Sequence, residues 1–369
     1  MPTTTIDMLG DLYSDTKTCA KLVGLRYIGT EDVGLSRRSV GKGFSYIDSD
    51  ERVIKDHLLK QRIIDLVIPP AWKDVWICPD DTGHVLATGI DEKGRKQYIY
   101  HPKWRTLRDL IKFYRMISFG HCLPKIRSTI DAHVSLGDFS KEHVMAVMLW
   151  ILDNAYIRIG NEIYFHENNS VGLTTLTKSN IVIANSVVTV SFLAKSGKQQ
   201  QITFDNSRIA AILKDLSTMK GDRLFRFKDE STKQLHDINA DDLNSYLHDI
   251  TGVHISAKDF RTWGGTLVAF MRLQDAHKKS EKITKSTVIE AIDQAAAVLG
   301  NTRSVARASY VHPDILEAYS SEHFDGYYSA ARRRRKKAGL DKQESTLLYM
   351  LEDLFEKEFD TLQKQAASS

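Results

Sequence analysis

GHVLATGIDEKGRKQYIYHP, residues Gly83–Pro102, is the stretch on which the reading of the fold turns. Val85–Ile90 and Lys96–Tyr100 are short runs suited to extended backbone. Asp91–Arg95 between them carries the Asp and Gly of a turn, so the stretch is expected to be a β-hairpin. Working outward toward the N-terminus, turn signals recur at Gly41-Lys42-Gly43, Pro69-Pro70 and Pro79–Gly83, with short apolar stretches between them. Residues 1–105 are therefore expected to form a small antiparallel β domain. Past Arg105 the periodicity changes, and residues 106–369 are expected to form a larger, mainly helical domain. The fold class is α+β.

The helical region carries its own punctuation. Ser140 is placed to cap a helix running through Val144–Tyr156 and ending near Gly160. Ile181–Phe204 interrupts the helical pattern with Val, Ile and Thr, and Ala194–Gly197 reads as the turn of a flanking hairpin. Asn239 with Asp241 and Asp242 marks another helix start. Ser256 and Asp259 form a capping box ahead of the helix that carries Arg261. Thr284–Leu299 is a helix stopped by Gly300. A six-residue basic run, Arg332–Lys337, precedes an amphipathic stretch, Leu347–Leu362.

Composition sets outer limits. The chain has 369 residues, 42% of them hydrophobic, enough for a sizeable core and two domains. A formal net charge of +4 permits a nucleic-acid partner without requiring one, since a whole-chain sum hides a basic face. Cys19, Cys78 and Cys122 form no C-x-x-C pair, which fits a reducing compartment and argues against structural zinc. Met1–Leu9 lacks the features of a signal peptide. The longest purely apolar run, Val144–Leu152, is far short of a membrane span. A soluble intracellular protein with no membrane partner is expected. There is no P-loop and no H-E-x-x-H, so neither a small-molecule cofactor nor a metal is expected. Any phosphate chemistry must then draw its positive charge from side chains.

Taken singly, the candidate residues have ordinary explanations. Arg158, in Tyr156–Tyr164, sits where a helix C-terminus favours a cation. Asn168–Leu176 reads as a loop entering a strand. Lys195 on a hairpin tip is usually a solvated lysine. Arg261 lies near the start of a helix, where the dipole disfavours a cation, and that mild misfit hints at an anion nearby. Tyr310, in Ala308-Ser309-Tyr310-Val311-His312-Pro313, would ordinarily be a half-buried core tyrosine.

In this order and number, however, the motifs resemble those of the type IB DNA topoisomerases, specifically the small single-chain branch of poxviruses and bacteria. The resemblance covers Val33 to Ala318. Its N-terminal block is Gly83-His84, Ala87-Thr88-Gly89, Asp91, Lys93–Pro102 and Trp104, and its catalytic block is the set of motifs above. It implies that Tyr310 is the nucleophile forming a 3′-phosphotyrosine link. Arg158 and Arg261 match the arginines that bind non-bridging phosphate oxygens, and Lys195 the lysine that protonates the departing 5′ oxygen. A pentacoordinate phosphate gathers negative charge that planar guanidiniums neutralise. An alkoxide leaving group needs a proton. The covalent ester stores the energy of the broken bond, so resealing needs no ATP.

Asn301 stands where many family members carry a histidine; it can donate a hydrogen bond but carries no charge. Arg303 replaces a common proline after the N-cap Thr302, and Ala194 a typical glycine. The resemblance further implies contacts with duplex DNA by Lys96, Gln97, Tyr98, Tyr100 and Tyr164, in a monomeric clamp that relaxes supercoils. Period-two alternation puts Tyr98 and Tyr100 on one face of the strand and Gln97 on the other. Two other readings stay open: a tyrosine recombinase, which shares the nucleophile and cations, and a DNA-binding module without catalysis. The GRKQYIYHP block and the RIGN-to-GLTTL spacing favour the topoisomerase over the first. Retention of Arg158, Lys195, Arg261 and Tyr310 speaks against the second.

Overall fold

The computed structural model describes residues 15–29, 32–41, 43–162, 165, 170–194, 197–280, 282 and 284–367. In chain order the elements are α1 (Thr16–Leu22), β1 (Leu35–Val40), β2 (Gly43–Ile47), α2 (His57–Asp65), β3 (Lys73–Ile77), β4 (Val85–Ile90) and β5 (Lys96–Tyr100). There follow α3 (Pro102–Val134), α4 (Lys141–Ala155), β6 (Ile181–Ala184), β7 (Val187–Ala194), β8 (Lys198–Asp205), α5 (Ser207–Thr218), β9 (Arg226–Lys228) and β10 (Leu235–Asp237). The remainder is helical: α6 (Ala240–Thr251), α7 (Ala257–Lys278), α8 (Lys285–Leu299), α9 (Arg303–Ser309), α10 (Pro313–Ser320), α11 (Phe324–Arg333) and α12 (Lys342–Ala367). An antiparallel β domain followed by a mainly helical domain is thus the observed architecture. No helix among the described residues is long and apolar enough to cross a membrane. Two compact units are formed, one by the chain up to Arg115 together with the segment from Glu358, the other by Met116–Lys357. Helix α3 runs from the first into the second.

In the first unit five strands make one antiparallel sheet in the order β2-β1-β3-β4-β5. The expected hairpin is β4–β5, and its turn is built on one carboxylate. Asp91 accepts from the backbone N–H groups of Lys93 and Arg95, both at 2.9 Å, and from Arg95 Nε and Gln97 Nε2, also at 2.9 Å. Hydrogen bonding from the Arg95 side chain, then its backbone, holds the Asp91 carboxyl down to about 2. Strand alternation then sorts β5. Ile99 packs on the core of Leu35, Ile54, Ile63, Val75, Ile77 and Ala87, while Tyr100 packs on Cys19, Ala20, Leu25, Trp104, Leu107 and Ile111.

In the second unit α4 begins at its Ser140 cap, with the His143 N–H 3.3 Å from the Ser140 hydroxyl oxygen. It ends at Ala155, sooner than expected, because Tyr156 adopts a left-handed φ of 49°. The chain beyond it is extended: the carbonyls of Arg158 and Ile159 accept from Leu173 N at 2.8 Å and Thr174 N at 2.7 Å. That pairing with a later segment replaces another helical turn. Close approach requires glycine at both crossing points, since a Cβ on Gly172 would fall 2.4 Å from the Gly160 Cα.

The strands β6-β7-β8 form a separate antiparallel sheet whose inner residues Val188, Val190 and Phe192 are buried. Trp150 of α4 meets Phe204 of β8 edge-on at 5.4 Å. Capping boxes open α6 at Asn239 and α7 at Ser256, and Gly300 stops α8 with φ 60°. Helices α3, α4 and α12 are tied by Arg127. Its guanidinium bonds to both oxygens of Asp153 at 2.8 and 3.1 Å and to both of Glu344 at 2.7 and 2.8 Å.

Candidate active site

Four of the residues singled out in the sequence come together in the second unit, and helix α7 is what collects them. Its apolar side, Phe260, Trp263, Leu267 and Phe270, is buried. Its N-terminus is fixed by the Ser256 N–H donating to Asp259 Oδ2 at 2.8 Å. Arg261, one turn in, is only 4% exposed. The Gly264–Gly265 pair lets α7 press against two other elements. A Cβ on Gly264 would fall 2.3 Å from the Tyr156 ring, and one on Gly265 would fall 2.9 Å from the Tyr310 carbonyl oxygen.

The two arginines are held by acceptors that do not neutralise them. Arg261 donates to the carbonyls of Tyr156 and, at 2.9 Å, Leu299. Arg158, expected as a helix-terminal cation, lies instead in the extended segment after the helix. It donates to the carbonyl of Gly300 at 3.3 Å and to the side-chain oxygen of Asn301. An arginine has no acceptor, so the Asn301 amide must turn its oxygen toward Arg158 and its NH2 away. Arg158 Nη1, Arg261 Nε and Asn301 Nδ2 are then buried donors with no hydrogen-bond partner among the described residues. Burial, followed by the like charge of Arg158, pushes the Arg261 guanidinium below its ordinary value despite the opposing influence of Tyr310. Buried unsatisfied donors on cations cost free energy unless an anion completes them.

Tyr310 is the residue beside this cation pair. It closes α9 as the C-cap, with the Arg261 guanidinium carbon 5.0 Å from its ring centroid. Burial alone would raise the phenol, but the charges of Arg261, Lys258 and Arg158 outweigh it and hold the group below its usual 10. The N-cap at Thr302 is present, and Arg303 at the first helical position is paired with Asp293 at 2.6 Å. On the far side of the site, the Gln200 side chain of β8 lies against the Gly300 backbone. Strands β7 and β8 pair as far as Ala194 and Lys198, and Lys195 itself lies outside the described residues, as does Tyr164.

Two residues near Tyr310 escaped the sequence reading. Lys258 lies three residues before Arg261, a helical spacing that puts both on one face and could have signalled it. Thr266 is fully buried, with its hydroxyl 3.0 Å from both the Tyr310 carbonyl oxygen and the His312 nitrogen. A lone threonine inside a buried helix carries no sequence signal of that kind.

The other candidates sit on β5 in the first unit. Tyr98 and Tyr100 share a face and stack at 5.6 Å with their planes 7° apart, and Tyr98 remains 42% exposed. Behind Tyr100 stands His84, itself stacked on Tyr27 at 4.3 Å. Gln97 is turned to the Asp91 carboxylate in the hairpin turn, and Lys96 is exposed. Among the described residues no cluster of His, Cys, Asp and Glu could hold a metal ion.

Residues 101–337 match the family model described as eukaryotic DNA topoisomerase I, catalytic core, and residues 43–91 match that of the bacterial DNA topoisomerase IB N-terminal domain. DNA topoisomerase 1B of Acanthamoeba polyphaga mimivirus is 31% identical over 297 residues, 78% of this chain and 88% of the relative. DNA topoisomerase 1B of vaccinia virus (strain Copenhagen) is 23% identical over 65% of this chain and 74% of its own length. DNA topoisomerase 1 of rabbit fibroma virus (strain Kasza) is 26% identical over 63% of this chain and 71% of its own length. The chain belongs to the type IB DNA topoisomerase family.

Proposed function

We propose that the chain works as a type IB topoisomerase through Tyr310: it cuts one strand of duplex DNA, lets that strand rotate, and reseals it. The phenolic oxygen attacks the scissile phosphorus, the P–O5′ bond breaks, and a 3′-phosphotyrosine ester forms. The phenol gives up its proton to solvent water, and Lys195 supplies one to the departing 5′ oxygen. Arg158, Arg261 and Asn301 donate to the non-bridging oxygens, where charge accumulates. One phosphodiester is exchanged for another, so the reverse step needs no ATP. The observation that carries the reading is the set of three buried donors without partners, Arg158 Nη1, Arg261 Nε and Asn301 Nδ2, beside a tyrosine whose phenol is depressed. A phosphate diester supplies the acceptors and the charge that this site lacks.

Residues 1–105 serve as a DNA-binding domain and 106–369 as the catalytic domain, together a monomeric clamp on the duplex. Tyr98, Tyr100 and Lys96 meet the DNA from β5. Gln97 joins them by leaving Asp91, and Tyr164 adds a contact from the catalytic domain. The enzyme works inside the cell, at the nucleoid if its source is bacterial.

Tyr310→Phe tests the nucleophile: duplex binding persists and no denaturant-resistant adduct appears, whereas an adduct at wild-type yield overturns the assignment. Lys195→Ala should slow cleavage by about 10²–10⁴-fold, the usual worth of general-acid catalysis. A substrate with sulfur at the 5′ bridging position, whose thiolate leaves without a proton, should erase most of that defect. A defect of equal size on both substrates removes Lys195 from the acid role.

A further inference from the structure

We infer that Thr266 is a positioning residue that sets the attack geometry of Tyr310, an inference resting on the reading of Tyr310 as nucleophile. Tyr310 sits in a short link: α9 spans seven residues before it, and α10, eight residues long, begins at Pro313. Helices this short have little rigidity of their own. The link is held from outside, by α7. Thr266 Oγ1 donates to the Tyr310 carbonyl at 3.0 Å and accepts from the His312 N–H at 3.0 Å. A hydroxyl has one proton and two lone pairs, so both bonds can form at once. The Met116 sulfur, 3.6 Å away, is a weaker competing acceptor.

The hydroxyl therefore bridges the two peptide units on either side of Val311, the first of which carries the Tyr310 carbonyl. It does so from the helix that carries Arg261. Gly265, the preceding residue, leaves no room between α7 and the Tyr310 carbonyl. Phosphate-binding and nucleophilic groups are thus locked to one rigid element, with Thr266 as the lock. A rotation of roughly 10° at the Tyr310 backbone swings the phenolic oxygen by about 1 Å, and a misplacement of that size costs on the order of 100-fold in rate. Thr266 touches neither substrate nor reacting atoms; it acts through Tyr310.

The test is single-turnover adduct formation by the full-length chain on a duplex with one cleavage site, with noncovalent DNA affinity measured alongside. Thr266→Val keeps the volume and loses both hydrogen bonds. It should slow adduct formation by about 10- to 100-fold with affinity unchanged. Thr266→Ser loses a methyl and keeps the hydroxyl, and should recover most of the rate. A wild-type rate for Thr266→Val, or a slower rate for Thr266→Ser than for Thr266→Val, overturns the inference, since packing and not the hydroxyl would then matter. Should Thr266→Val fail to fold, Thr266→Cys takes its place, because a thiol fills the site with only weak hydrogen bonding. It should be slower than Thr266→Ser, and a wild-type rate overturns the inference. Tyr310→Phe run in parallel separates the two readings. An adduct from Tyr310→Phe defeats the nucleophile assignment and this inference with it. No adduct there, with a wild-type rate from Thr266→Val, defeats the role of Thr266 alone.

Discussion

Arg127 and the Arg158–Arg261 pair are guanidinium sites of the same unit, built on opposite principles. Arg127 faces Asp153 and Glu344 through four hydrogen bonds, and those carboxylates, outweighing burial, raise its affinity for the proton. Arg158 and Arg261 face backbone carbonyls and one amide, keep unsatisfied donors, and repel each other. A chain that needs an arginine only for its fold supplies the counter-charge itself. One that needs it for an anionic substrate leaves the counter-charge out. Breaking the first arrangement would strand buried carboxylates, whereas the second leaves buried donors for which, on the proposed function, a phosphate would supply the acceptors.

That contrast can be broken at several points. The largest effect on the fold should come from Arg127→Met. It strands two largely buried carboxylates, Asp153 and Glu344, at 10% and 5% side-chain exposure. Removing one partner of such a group costs about 3–5 kcal/mol. Chemical denaturation should show that loss, with the adduct-forming rate of the remaining folded enzyme retained. Unchanged stability would mean that the carboxylates are not relying on Arg127.

A smaller effect should come from His312, fully buried two residues after Tyr310, where burial pushes the imidazole down to about 4 despite the nearby Asp314. The unfolded chain takes up a proton near pH 6.5 that the folded chain refuses until about pH 4. Stability from this group is therefore full above pH 6.5 and falls as pH drops, by about 3 kcal/mol in all. His312→Asn keeps a residue suited to cap α10 and should flatten the dependence. An equally steep loss in that variant would assign the proton uptake elsewhere.

The smallest shift is the most local. Because Arg261 holds the Tyr310 phenol below 10, Arg261→Ala should move it upward, read as a higher apparent pKa in the pH profile of adduct formation. No movement would remove Arg261 from the surroundings of the phenol.

Much of this molecule was legible from local chemistry. The Asp91 turn, the Ser140, Asn239 and Ser256 starts and the Gly300 stop are decided by neighbours within a few residues. The order of motifs around Arg158, Arg261 and Tyr310 carried the family. Features set by distant segments were not legible. Helix α4 stops at Ala155, where Leu173 and Thr174 pair with the chain after it, and nothing near Tyr156 announces a left-handed residue. The Arg127 network joins three helices far apart in sequence. Thr266 owes its significance to a turn that is 44 residues downstream. Gln97, read as a DNA contact, turns in the free protein to the Asp91 carboxylate, which also accepts from the backbone of Lys93 and Arg95 and from the Arg95 side chain.

The central claim is that the uncompensated arginines are present for the phosphate and not for the fold. Arg261→Ala tests it most directly, through single-turnover adduct formation on a phosphodiester duplex with the unfolding free energy of the same preparation. Loss of one preorganised donor at the developing charge should slow the reaction by about 10²–10³-fold. The free protein should lose less stability than Arg127→Met does, because a repelled, buried cation is removed along with its hydrogen bonds. Adduct formation at the wild-type rate, or a slow rate explained wholly by unfolding, would contradict the account.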